Sequence, residues 1–504
     1  MKVQIEENSI VTLKDGVSKS LESSPLWNED LRPTSRSEHS WTGWSFASLW
    51  IGMCLCLPSY TMASAMISVG MNWWQALLTI FIGNCIILVP VLLNSHAGTK
   101  YGIPYPVFAR LWFGSKGAHI PTVTRALISA AWFGINVWFG TTAIDTLMGV
   151  AFSFWDQVPF HTAITFAFFL LLNVIVGFKG PGAIKWLMII ASPVVGIASI
   201  FLLIWAIKSA HGLGPLLTEP GKFHTTGSFL AVFFPSVTSV IAFWATVSLN
   251  IPDFARYAKS HKSSQIGQSL ALPLTMTIFS FIGIFVTSAT VIVFGKAIWQ
   301  PVELLAKFPT PIVFIGAIIV VLACLAVNVG ANLVAPARAI ENMSPKHITF
   351  GLGVLITGVL AILMQPWYLL SNFSTLLYGF LGTLGAFLGP IDGIAMADYW
   401  VVRKRRLHLA ELYRPDGRYS YRSGFNMASI LSFAIGILIP AIGLIVPSLS
   451  FLWENALMFG LVIAGACYTY LMRNDRSLLT SKEYEEITTR KDDTEAADLK
   501  AAAK

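Results

Sequence analysis

Twelve stretches of roughly 17–27 mostly uncharged residues recur along the chain, at approximately 44–69, 73–93, 127–152, 162–178, 183–207, 229–251, 270–294, 312–334, 348–364, 376–401, 428–446 and 452–471. Each is long enough to cross a hydrocarbon core of about 30 Å as a helix. A backbone in hydrocarbon must satisfy its own polar groups, so the pattern predicts an all-α polytopic membrane protein with twelve transmembrane helices. Composition agrees: 55% of the 504 residues are hydrophobic and only 12% are charged, unlike an ordinary soluble domain.

A net charge of +8 could suggest a nucleic-acid binder, but the placement of the charges excludes it. Of the 34 Lys and Arg, all but Lys208, Lys222, Lys296 and Lys307 fall at the N-terminus, in the even-numbered connections or at the C-terminus. That is the positive-inside bias, and it predicts a multi-pass protein of the cell (inner) membrane with both termini cytoplasmic. The first forty residues are polar, carry acids throughout and lack the pattern of a cleavable signal. The densest cluster, Arg403-Lys404-Arg405-Arg406, follows span ten and reads as a stop at the anionic inner leaflet, with a lipid-specific site as the alternative. Cys54, Cys56, Cys85, Cys324 and Cys467 all fall within spans and suggest neither a disulfide framework nor a metal site. The expected cofactor complement is none.

Polar residues inside the spans narrow the function. Trp132 and Asn136 are one helical turn apart on span three, so a flat indole and a carboxamide share a face. Span one carries Pro58, and span six is polar in its second half before Pro252. Two equivalent broken helices, as inverted-repeat transporters use, or two ordinary proline kinks both fit. Asn328 and Asn332 repeat the one-turn spacing in span eight, where amides either join helices or line a polar cavity. Asp398 is close enough to the basic cluster to pair with it or meet interfacial water; Asp392 lies about 9 Å deeper and is the candidate for function. No nucleophile with a base, carboxylate pair or histidine cluster occurs in the spans, and His96, His119 and His224 are far apart, so an enzyme is not expected.

Four segments carry a resemblance: Asn94–Val107 (NSHAGTKYGIPYPV), Asn250–Tyr257 (NIPDFARY), Ala331–Ala337 (ANLVAPA), and Gly389-Pro390 followed by Ala397-Asp398-Tyr399-Trp400. From about Trp50 to Tyr421 the chain resembles the nucleobase:cation symporter-1 family, which transports uracil, cytosine, purines, allantoin and hydantoins. The resemblance implies a LeuT-like fold of two inverted five-helix repeats with two additional helices. The expected division is a tail over 1–41, repeats over 42–207 and 208–401, a basic loop with two helices over 402–472, and a tail over 473–504. It also implies a heterocycle sandwiched between Trp132 and Trp244, with Asn136 and Asn332 on its amide edge and Phe243 and Cys56 in the same substrate site.

Two departures concern the substrate: Asn136 and Cys56 stand where relatives that take hydantoins carry glutamine. Another concerns the ion. Family positions that hold sodium fall on Gly52, Leu55 and Ala323, whose backbone carbonyls suffice, and on Ala326 and Val327, which have no hydroxyl. The expectation is therefore a degenerate sodium site, with Asp392 either carrying a proton or only bonding a neighbouring backbone group or water. The chain reads as a symporter that imports a small planar heterocycle by alternating access, proton-coupled or sodium-independent. The alternatives are a ligand-binding membrane sensor and a LeuT-fold amino-acid or vitamin transporter.

Overall fold

The computed structural model describes residues 3–5, 10–13, 15–178, 181–223, 225–341, 343 and 347–490; His224 and the end of the C-terminal tail, 491–504, lie outside the described residues. Among the described residues, eight helices are each long and apolar enough to cross a membrane: Trp73–Tyr101, His119–Ala151, His161–Phe178, Thr226–Ala255, His261–Phe294, Thr310–Val327, Thr375–Val402 and Met427–Leu444. Two more spans are bent pairs, Gly43–Cys54 with Leu57–Val69 at 58° and Pro447–Glu454 with Ala456–Met472 at 78°. Shorter apolar helices, Pro193–Ser209 and Phe350–Leu363, fill the remaining two positions. In chain order these elements match the twelve apolar stretches of the sequence.

Span one is broken and span six is not. At the break, Leu55 leaves helical geometry, Cys56 is extended, and Pro58 enters the first turn of Leu57–Val69. Proline suits that turn because its missing N–H has no intrahelical partner there, while it restricts the residue before it. Thr226–Ala255 instead runs as one continuous helix, so of the two readings left open neither holds for both spans: span one is broken and span six is not. Its prolines, Pro235 and Pro252, sit in the first third and the last turn, and the residues between them include neither proline nor glycine. Nothing in that central stretch removes a backbone donor.

Span two packs along span six, and glycine makes the approach close. A Cβ on Gly98 would stand 2.7 Å from Cα of Pro252, and one on Gly83 would stand 2.6 Å from Cβ of Val240. Both approaches are closed to any larger residue. Wide, π-type turns interrupt span eight after Val327, at Asn328–Leu333, and span ten at Thr375–Leu381 and Ala397–Val402. Such turns re-aim side chains and recur at functional sites. Outside the spans, Val3–Ile5 pairs with Val11–Leu13 and, in parallel, with Thr488–Arg490. Both terminal segments therefore lie on the same face of the bundle.

Candidate substrate site

Aromatic rings from spans one, three, six and ten meet beside the break in span one. Trp132 of span three is edge-on to Phe243 of span six at 5.0 Å and to Phe380 of span ten at 5.3 Å. Phe243 in turn meets Trp244 at 4.9 Å, and Trp244 meets Trp50 of span one at 5.3 Å. Phe243 thus touches both proposed stacking residues. The crevice beside Trp132, walled by Pro58, Met62, Phe139, Phe243 and Leu381, leaves only about 10 Å³, room for about one water. The aromatic side of the site is narrow.

Polar groups around these rings are incompletely satisfied. The indole N–H of Trp244 and that of Trp50 are both sealed from solvent and donate to no described residue. An unmade hydrogen bond in a buried place costs about 1–3 kcal/mol, so two adjacent indole donors without acceptors invite an acceptor from outside the chain. Asn136 is buried and donates Nδ2 to Trp132 O at 3.0 Å, an intrahelical bond; no described residue donates to its Oδ1. Cys56 lies at the break, its Sγ 3.2 Å from Ser59 Oγ.

The two asparagines of span eight differ. Asn328 is fully buried and donates Nδ2 to Phe133 O and to Asn173 Oδ1, both at 3.1 Å, while its Oδ1 accepts from Asn332 Nδ2 at 3.2 Å. Asn173 completes the chain by donating to Phe169 O at 2.8 Å. Span eight is tied in this way to span three, one residue from Trp132. Asn332 is only partly buried, and its carboxamide oxygen accepts from no described residue.

At the positions expected for a cation, Cys56 turns its N–H to Cys54 O at 2.9 Å, so the Gly52 carbonyl lacks its helical partner. Leu55 lies in the break itself, and Ala323 and Ala326 are buried in span eight. Ala326 and Val327 bring no side-chain oxygen there.

Span ten holds two buried carboxylates. Asp392 Oδ1 accepts from Asn94 Nδ2 at 2.7 Å and from Ser248 Oγ at 3.2 Å, joining spans two, six and ten. No described residue donates to Oδ2, and no described cation forms an ion pair with the carboxylate. Asp398 instead meets Arg403 Nε at 2.9 Å and the Tyr468 hydroxyl at 2.6 Å, and it is fully buried. Of the two expectations for Asp398, pairing with the basic cluster holds and contact with interfacial water does not. Arg403 itself is buried, which removes it from the leaflet-facing run. Sequence reasoning missed Phe380 and Asn173. It quoted Asn94 and Trp50 without giving them a role, although each is a polar or amphipathic residue within or beside a span.

Ten membrane-crossing spans among the described residues, with two shorter apolar helices, a broken first span and a polar, aromatic site at that break, are the features of a membrane transporter. The comparisons with known proteins name its family. Residues 33–472 match the model described as a permease for cytosine/purines, uracil, thiamine, allantoin, and the chain belongs to that family, NCS1. It is 38% identical to a purine-uracil permease of Arabidopsis thaliana over 89% of this chain and 78% of that one. It is also 38% identical to an allantoin permease of Bacillus subtilis, over 90% of this chain and 94% of that one. The solved structure of Mhp1, a nucleobase-cation-symport-1 family transporter in a closed conformation with bromovinylhydantoin bound, superposes with a TM-score of 0.75 at 26% identity, covering 92% of this chain and 99% of that one. The LeuT-like expectation for the fold holds, and the chain is a nucleobase-type transporter.

Proposed function

We propose that the chain is a secondary symporter that imports a planar heterocycle of the uracil, cytosine, purine, allantoin or hydantoin class by alternating access, driven by protons rather than sodium. The observation that carries the substrate reading is the pair of unpaired indole donors, Trp50 and Trp244, beside the ring cluster of Trp132 and Phe243. A heterocycle with alternating carbonyl and N–H groups supplies the missing acceptor and two faces for stacking. Asn136 Oδ1 and Asn332 Oδ1 are open to its N–H groups.

Coupling falls to Asp392. Its two neutral donors leave one oxygen able to take a proton, and no neighbouring cation holds it charged. The bonds it makes span three helices that must shift relative to one another for access to alternate. Protonation weakens acceptance at that junction. The lysine and arginine bias supports a cytoplasmic side for the termini, and the sheet that pairs Val3–Ile5 with Thr488–Arg490 supports a shared side for both. The expected division of the chain, with repeats over 42–207 and 208–401, is retained.

Uptake of radiolabelled uracil, allantoin, hypoxanthine and hydantoin into proteoliposomes tests the substrate class. Saturable accumulation of at least one supports it. Failure of all four to accumulate or to compete for binding removes it.

A further inference from the structure

The basic run after span ten divides. Arg403 turns inward to Asp398, whereas Lys404, Arg405 and Arg406 line a separate chamber of about 520 Å³ that opens widely to solvent, joined there by Lys100 of span two. No carboxylate lines the chamber, and none of these four cations forms an ion pair with a described residue. Unbalanced like charges in one cavity repel and attract a counter-ion of opposite sign.

Lys404 and Arg405 are exposed, but the backbone that carries them is fixed. Lys404 and Arg405 both adopt left-handed backbone, φ 50° and 63°, a conformation that side-chain-bearing residues avoid and that clusters at functional sites. Arg405 N–H donates to Tyr399 O at 2.7 Å, and Arg405 O accepts from Lys100 Nζ at 2.9 Å and from the Tyr101 hydroxyl at 2.8 Å. The Arg405 guanidinium stands 5.4 Å over Trp400, and Lys100 Nζ 5.3 Å over Tyr484. Freely snorkelling side chains at a leaflet would need none of these restraints. The wall also contains His96 and His261, stacked at 4.2 Å, and the enclosed Nε2 of His261 has no partner.

We propose that this chamber is a second ligand site, remote in function from the heterocycle site, and that it binds a phosphate-bearing anion. Phosphate matches the wall because it carries up to two charges and three strong acceptor oxygens, which guanidinium forks and ammonium groups bind by charge-assisted bonds. The phosphate belongs either to the headgroup of an anionic lipid or to a soluble phosphorylated small molecule. Occupation joins the ends of spans two, seven and ten to the C-terminal helix Ser481–Ile487, which supplies Tyr484.

The test uses the full chain and no heterocycle, so its outcome does not depend on the transported substrate. Thermal unfolding is measured in detergent with inorganic pyrophosphate against sodium chloride of equal ionic strength. It is repeated in nanodiscs of phosphatidylcholine with and without phosphatidylinositol phosphate. Wild type and Arg473→Gln, an exposed charge control, rise in Tm with a phosphate source; Lys404→Gln and Arg406→Gln need roughly tenfold more of it or lose the rise. A rise with pyrophosphate alone identifies a soluble ligand, and a rise with the phosphoinositide alone identifies a lipid. Absence of both rises in wild type, or equal rises in both Gln variants, overturns the proposal.

Discussion

Asp392 and Asp398 lie less than two turns apart on span ten, both buried, yet their surroundings differ in kind. Asp398 has a guanidinium and a phenol, and Arg403 in turn donates to Ser477 O and to the Tyr421 hydroxyl. Asp392 has two neutral donors on one oxygen. A buried charge with every partner in place holds structure together; one left half-matched is held ready for something that comes and goes. The same division separates Asn328, bonded to protein at both ends of its amide, from Asn332, whose oxygen is open.

The largest effect expected from this comparison is on stability. Asp398→Asn strands Arg403 without its counter-charge and should cost about 3–5 kcal/mol, read as a fall in the midpoint of thermal or denaturant unfolding in detergent. Asp392→Asn, nearly isosteric and facing neutral donors, should leave that midpoint close to wild type. Equal losses in the two would erase the distinction between the carboxylates.

Next in size are the aromatic residues. Trp132→Ala and Trp244→Ala should each weaken heterocycle binding by roughly 1–3 kcal/mol, measured by radioligand displacement per folded molecule. Wild-type affinity in both would remove the stacking assignment. Asn328→Ala should lose about 1–3 kcal/mol of stability because it unmakes bonds to Phe133 and Asn173, whereas Asn332→Ala should keep stability and lose uptake. Identical stability losses would make both asparagines helix joints. The smallest effect belongs to Trp244→Phe, which keeps a ring and deletes the unpaired donor: stability should hold within about 1 kcal/mol while binding weakens by about 0.5–1.5 kcal/mol. A marked fall in stability would mean that the indole N–H has a structural partner.

Much of this was legible from local chemistry. Long apolar runs announced the spans, Pro58 allowed either a break or a kink in span one, and the short spacing from Asp398 to Arg403 allowed their pairing. Pro252 left the same choice open for span six, and position decides it: in the last turn it has few helical bonds left to interrupt. The partners of the inner polar groups were not legible. Asn173 and Asn328 come together across 155 residues, and Asn94 and Asp392 across 298, distances over which no spacing rule operates. Burial of Arg403 was hidden for a different reason: within a run of four basic residues, nothing local distinguishes the one that turns inward.

Proton coupling through Asp392 is the central claim, and one uptake experiment bears on it most directly. Proteoliposomes are loaded to give an inward proton gradient with sodium replaced by choline, and concentrative uptake of the transported heterocycle is compared between wild type and Asp392→Asn, with exchange of labelled for unlabelled substrate as the control for folding. Wild type should accumulate substrate without sodium, and Asp392→Asn should exchange but not accumulate. Uptake that collapses in choline, or an Asp392→Asn variant that accumulates substrate as wild type does, would contradict the account.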